Sequence, residues 1–281
     1  MPIDQVYVPP LKTQGIKTKL VPLIKSGLLL TEKGLWVEPF MGSGVVGFNV
    51  APQNAVFADI NPHIINFYNQ IQEGEITSPR VREFLEAEGK LLQESDGAYY
   101  YEVRDRFNQT HDPLDFLFLN RSCFNGVMRF NKELRFNVPY GHKPQRFSKA
   151  YITKIANQVA RLEELMKGKN WIFQCQSFDQ TIEMAGRRSF IYCDPPYIGR
   201  HVDYYDRWDV EMELALKQAL ITSSGKFMLS TWDHNQYRNN EYIEKIWPFC
   251  NKITKDHFYY VGAKECNRNP ITEALLTNYK L

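Results

Sequence analysis

Residues 189–197, Ser-Phe-Ile-Tyr-Cys-Asp-Pro-Pro-Tyr, form a short apolar run that ends in a carboxylate, two prolines and an aromatic ring. Each proline fixes φ near about −65°, lacks a backbone N–H and restrains the residue before it. Asp194-Pro195-Pro196-Tyr197 is therefore stiff and extended, with carbonyl oxygens free to accept. The Asp194 carboxylate and the Pro195 carbonyl make a rigid pair of acceptors beside a flat ring, an arrangement suited to a planar amino group such as N6 of adenine. The N6 lone pair is delocalised into the purine and is a poor nucleophile. Two fixed acceptors that hold its hydrogens draw the nitrogen towards tetrahedral geometry. The Tyr197 ring is expected to stack on the base, with little demand on its hydroxyl. Cys193 invites comparison with covalent cytosine-C5 chemistry, but strand alternation points its side chain away from that of Asp194, into the sheet packing.

A second segment, Leu35-Trp-Val-Glu-Pro-Phe-Met-Gly-Ser-Gly-Val-Val-Gly-Phe48, carries an apolar strand into Gly42 and Gly44 and then a helix. This pattern lets backbone approach a ligand at the carboxyl edge of a parallel sheet. Another short strand, Ala55-Val-Phe-Ala-Asp59, ends in an acid where a ribose diol needs an acceptor. The interval from Gly44 to Asp59 is shorter than the usual dinucleotide spacing, and Gly47 fits the third glycine position only loosely.

These segments join Lys12-Thr-Gln-Gly-Ile-Lys17, Asp59-Ile-Asn61, the block Leu119-Asn-Arg-Ser-Cys-Phe-Asn-Gly-Val-Met-Arg-Phe-Asn131 and Arg135-Phe-Asn-Val-Pro-Tyr-Gly141. With them in view the chain resembles the Dam-type (group alpha) DNA adenine-N6 methyltransferases over nearly its whole length, most specifically in the block from Leu119 to Gly141. The resemblance implies an S-adenosylmethionine-dependent enzyme, yielding S-adenosylhomocysteine without a metal, that methylates N6 of a flipped-out adenine at GATC or a related site in double-stranded DNA. It implies cofactor contacts at Lys17, Phe40, Gly42, Gly44, Asp59, Phe178 and Asp194, and catalytic roles for Asp194, Pro195, Pro196 and Tyr197. DNA contacts are implied at Lys12, Phe124, Asn125, Arg129 and Pro139, with Phe124 inserting beside the flipped nucleotide. The chain departs from the family pattern at Thr13 and Ile16, and at Leu134-Arg135. RNA adenine-N6 and DNA cytosine-N4 methylation are the neighbouring chemistries, and a non-catalytic module binding cofactor or DNA is the alternative of another class. A cognate restriction endonuclease acting separately is a further expected partner.

Net charge is only +2, yet Arg121–Lys149 holds seven Lys or Arg against the single acid Glu133, interleaved with Phe124, Phe130, Phe136, Tyr140 and Phe147. Phosphate contact and base stacking are expected of that stretch. The five cysteines, at 123, 175, 193, 250 and 266, show neither C-x-x-C nor metal-ligand spacing, which points to a reduced compartment. Neither an export signal nor a membrane-length apolar run is visible. A cytoplasmic protein, nucleoid-associated or phage-encoded, is therefore expected.

The elements that must position these residues follow from hydrophobic periodicity. Strands are expected at 35–40, 55–59, 170–175, 189–194, 226–232, 252–261 and 273–279. Helices are expected at 43–51, after Pro62, and from about 147 to 165, where Ile152, Ile155, Ala156, Val159, Leu162 and Leu165 recur. From Ser78 to about 147 the pattern is charged and irregular. Strands separated by helix-length segments argue for an α/β fold with a doubly wound, mostly parallel sheet, here of the S-adenosylmethionine-dependent methyltransferase type. The expected division is a catalytic domain of residues 1–61 and 148–281, with a largely helical target-recognition domain inserted at 62–147.

Overall fold

The computed structural model describes residues 5–198, 208–258 and 270–280. Seven strands form one sheet: β1 (Leu35–Glu38), β2 (Asn54–Asp59), β3 (Asn170–Cys175), β4 (Ser189–Cys193), β5 (Lys226–Asn235), β6 (Asn251–Phe258) and β7 (Pro270–Thr277). Their order is β3-β2-β1-β4-β5-β7-β6. The first five are mutually parallel, and β7 runs antiparallel to both of its neighbours, β5 and β6. The sheet is thus doubly wound and mostly parallel, as expected. The strands expected at 252–261 and 273–279 appear as β6 and β7, although residues 259–261, like Cys266, lie outside the described residues.

The inner strands β1, β2 and β4 are nearly continuous apolar runs because both faces are covered. Trp36, Phe190, Met228 and Leu275 enter one core, while their chain neighbours Val37, Ile191, Leu229 and Leu276 enter a second on the opposite face. Trp36 stacks on Phe190 and Tyr192 at centroid distances of 5.7 and 5.9 Å. Helix α1 (Val21–Ser26) precedes the sheet and α2 (Val45–Val50) links β1 to β2. Helix α3 (Pro62–Gln72) follows β2, and its Asn69 and Gln72 side chains donate to the carbonyls of Phe173 and Trp171 on β3. This helix, placed in the insertion by the sequence, packs on the sheet itself.

The charged, irregular stretch forms three helices, α4 (Ser78–Glu94), α5 (Tyr99–Thr110) and α6 (Pro113–Ser122), followed by a short 3₁₀ turn at Phe124–Gly126. Thr77 caps α4 and Asp112 caps α6, and each helix carries a proline in its first turn, both good start signals. Val81, Leu85, Val103 and Phe107 continue the larger core, so these helices share apolar packing with the sheet. Arg106 ties them together, its Nε donating to Asp115 at 2.8 Å and its Nη2 to Glu88 at 2.7 Å. Helix α7 (Lys149–Met166) returns the chain to β3; α8 (Phe178–Glu183), α9 (Val210–Thr222) and α10 (Glu241–Ile246) complete the windings. Among the described residues no helix is long and apolar enough to cross a membrane, and no group of three His, Cys, Asp or Glu could hold a metal ion.

Candidate active site and nucleic-acid surface

The strand order reverses between β1 and β4, and the candidate residues gather at the carboxyl ends of the strands around that reversal, where open α/β sheets place ligands. The turn after β1 is built on Gly42 at φ +48° and Gly44 at φ +73°. A Cβ on Gly44 would lie 2.3 Å from the Phe48 ring, so the turn requires glycine in both conformation and space. Asp59 at the end of β2 pins this turn: one carboxylate oxygen accepts Gly42 N–H and the other Asn61 N–H, each at 2.9 Å. Each oxygen retains a lone pair for a further donor. Burial pushes the Asp59 carboxyl up to about 6 despite these two donors.

Phe40 and Phe178 come from different crossovers yet stack at 5.6 Å, and Trp208 meets both edge-on at 5.5 and 5.7 Å. The Trp208 indole is fixed by a 2.7 Å bond to the buried Glu213, which also accepts from Trp247 at 2.8 Å. Glu38 is buried against Gly47 of α2 and accepts Trp36 Nε1–H at 2.8 Å. Burial pushes its carboxyl up to about 8, with the Asp194 charge adding to the rise. Glu38 lies inside the Leu35–Phe48 segment but carries no role from it, whereas Trp208 and Glu213 have no sequence signal of their own; only their positions in space bring them to the site.

At the end of β4, Asp194 forms a 3.0 Å ion pair with Lys17 Nζ. Lys17 also donates to the Gly15 carbonyl at 2.9 Å and lies 5.2 Å above the centre of the Tyr197 ring. Burial pushes the Asp194 carboxyl up to about 6; Lys17 opposes that rise and Glu273 adds to it. Pro195 is buried and Pro196 half-buried. The Tyr197 hydroxyl, to which the sequence reading gives little weight, donates to the buried Glu273 of β7 at 2.8 Å. Cys193 is wholly buried in the second core, and burial pushes its thiol far up, an inert thiol on the face expected for it.

A third group surrounds the 3₁₀ turn. Phe124 is 51% exposed, and its N–H donates to the Pro139 carbonyl at 2.9 Å, which sets the two side by side. Asn125 is left-handed, φ +55°, and exposed. Arg129 is aimed by Asn137, whose side-chain oxygen accepts its Nε–H at 2.8 Å. Lys12 is joined to this group by the Asn120 side chain, which pairs with both its N–H and its carbonyl at 2.8 and 2.9 Å. A Cβ on Gly126 would meet the Lys12 stem at 2.9 Å. Lys12, Phe124, Asn125 and Pro139 therefore meet at one turn, while Arg129 is held by Asn137, two residues before Pro139.

Two expectations for the basic stretch need correction. Of its interleaved aromatics only Phe124 is exposed; Phe130, Phe136, Tyr140 and Phe147 are buried, because their apolar rings hold the helices to the loop. Arg121 is likewise buried and is no surface cation. Its Nη2 donates to Gln158 at 2.6 Å and its Nη1 to the Tyr151 hydroxyl at 3.4 Å, where Arg146 also donates at 3.0 Å.

The sequence matches the D12 class N6 adenine-specific DNA methyltransferase family over residues 14–261. It is 35% identical over 198 residues to the DNA adenine methylase of Haemophilus influenzae, covering 67% of this chain and 63% of that protein. It is 35% identical over 193 residues to the DNA adenine methylase of Escherichia coli K12, with 66% and 64% covered. The Vibrio cholerae DNA adenine methylase is 37% identical over 193 residues, with the same coverage. The matched region thus spans a little under two thirds of the length of these relatives. Among solved structures, the rRNA methyltransferase aviRa from Streptomyces viridochromogenes superposes with a TM-score of 0.37 at 10% identity, covering 93% of this chain and 83% of that one. A family match that takes in the glycine turn, Asp59, the Phe124–Gly126 turn and the Asp194–Tyr197 strand end, together with these identities, establishes that the chain belongs to the D12 class of N6 adenine-specific DNA methyltransferases.

Proposed function

We propose that the protein transfers a methyl group from S-adenosylmethionine to N6 of an adenine flipped out of duplex DNA, at GATC or a related site. The observation that carries this reading is the strand end Asp194-Pro195-Pro196-Tyr197, rigid in backbone and held by Lys17 and Glu273, beside the glycine turn pinned by Asp59. The turn and its surroundings fit the cofactor. Gly42 and Gly44 bare their backbone, Asp59 keeps lone pairs for a ribose diol, and Phe40 and Phe178 offer apolar walls for an adenosine. Lys17 supplies positive charge for a carboxylate. When bound, the cofactor supplies a methyl group already activated on a sulfonium.

The chain's own residues then position and polarise. The target base leaves the stack at a cost of a few kcal/mol, and the Tyr197 ring offsets part of that cost by stacking. Asp194 and the Pro195 carbonyl accept the two N6 hydrogens, which localises the lone pair and aims it. After transfer, N6 carries one proton too many, and the Asp194 carboxylate, raised to about 6, is a basic enough acceptor to take it. Lys12, Phe124, Asn125, Arg129 and Pro139 read and hold the DNA, with α4, α5, α6 and the following loop as the recognition element. Methylation would protect the site from a separate endonuclease of the same specificity, in the cytoplasm where chromosomal or phage DNA is met.

Single-molecule sequencing of DNA from a methylation-free host expressing the chain tests this reading. N6-methyladenine confined to one short motif is expected. Modified cytosine, or DNA without modification, overturns it.

A further inference from the structure

Tyr197 is restrained at both ends. Its backbone follows two prolines, and its hydroxyl donates to Glu273 Oε2 at 2.8 Å, although Glu273 lies 76 residues further along the chain. Glu273 is only 1% exposed. It sits in the middle of β7, opposite Trp232 of β5 and Lys255 of β6, so the sheet fixes its Cα. A carboxylate is costly to bury without donors, and the Tyr197 hydroxyl supplies one to Glu273. A tyrosine ring turns about a staggered χ1 and a broad χ2, so its face has several orientations open to it. A charge-assisted bond at its far end selects one of them.

We propose that Glu273 is a positioning residue, its carboxylate holding the Tyr197 hydroxyl so that the ring presents a fixed face to the flipped base. The inference rests on the stacking role given to Tyr197 above. It assigns to the last strand of the sheet a part in catalysis that neither the Asp-Pro-Pro-Tyr motif nor the glycine turn contains. The antiparallel placement of β7 is what carries an acid to that point.

The test compares Glu273→Ala, Glu273→Gln and Tyr197→Phe with the wild type at saturating cofactor. It measures kcat and KM for a duplex oligonucleotide, fluorescence of 2-aminopurine at the target position, and calorimetric affinity for S-adenosylhomocysteine. Glu273→Ala should lower kcat at least tenfold and dim the 2-aminopurine signal, while affinity for the cofactor product stays within twofold and reports an intact fold. Glutamine keeps an oxygen that accepts the hydroxyl, so Glu273→Gln should recover kcat to within about threefold of wild type. Tyr197→Phe removes the same bond, so the double variant Tyr197→Phe/Glu273→Ala should be no slower than Glu273→Ala alone. Wild-type kcat and fluorescence in Glu273→Ala, or additive losses in the double variant, overturn the proposal. If the wild type modifies a different base, the proposed function fails, and the same ratios measured on that base decide the tether separately.

Discussion

Acidification offers the sharpest test of the chemistry, because Asp194 must be ionised to accept N6 hydrogens and its carboxyl is raised to about 6. At saturating cofactor and DNA, turnover should sit on a plateau above about pH 7 and fall roughly tenfold per pH unit below 6, so that about a tenth of the plateau rate remains at pH 5. An ordinary carboxylate would hold the plateau down to about pH 5. The charged groups facing Asp194 set the position of this limb. Lys17 at 3.0 Å lowers it, and Glu273 raises it. An opposite charge at such range lowers a carboxyl by about 1–3 units, so Lys17→Gln should move the acid limb up by that amount. Glu38, itself raised to about 8, is protonated across this window and adds no charge. The linkage sign separates this effect from unfolding. Because the folded value of Asp194 lies above the unfolded one, its ionisation costs stability, and that cost is relieved as pH falls from about 6 towards 4. Its contributions to activity and to stability therefore run in opposite directions. A wild-type limb near pH 4, or a limb that stays in place in Lys17→Gln, would rule out Asp194 as the group whose ionisation sets the rate.

Asp59→Ala should weaken S-adenosylhomocysteine binding by about 1.5–3 kcal/mol in calorimetry, with Asp59→Asn intermediate because its amide oxygen still accepts one of the two backbone N–H groups. Asn137→Ala removes the group that aims Arg129, so profiling of methylated sites should show the same relaxed choice at one guanine as Arg129→Ala, a discrimination worth about 1–3 kcal/mol; an unchanged motif in both would make Arg129 a positioning contact. Gly44→Ala combines a φ of +73° with a methyl 2.3 Å from Phe48, so thermal unfolding should show a loss of at least about 2 kcal/mol.

Local signals carry the legible part of this molecule. Strand β3 falls at the expected residues, and β1, β2 and β4 lie within one or two, because short apolar runs bounded by glycine, proline or an acid are written in consecutive residues. The Asp194–Tyr197 strand end and the Gly42–Gly44 turn are legible for the same reason. The helices of the charged stretch are harder to read. Val81, Leu85, Gly89 and Leu92 mark the inner face of α4 at helical spacing, but charged residues of the outer face dilute that stripe. Burial of Phe130, Phe136, Tyr140 and Phe147 depends on how α5, α6 and α7 pack, and sequence spacing cannot separate a ring that stacks on a base from one that fills a core. Glu273 is illegible for a plainer reason: its partner lies across the sheet and far along the chain.

Strand β7 lies between β5 and β6 but is synthesised after both. Among the described residues strand β6 has no other neighbour in the sheet, so during translation it cannot join until β7 has left the ribosome. At about 5–20 residues per second, that leaves β5 as an open sheet edge for about 2–7 seconds. The glycine turn, Asp59 and the Asp194–Tyr197 strand end can all assemble on the emerging chain before then. The acceptor for the Tyr197 hydroxyl arrives only with β7, so the nascent protein forms its ligand-facing loops before it anchors its aromatic ring.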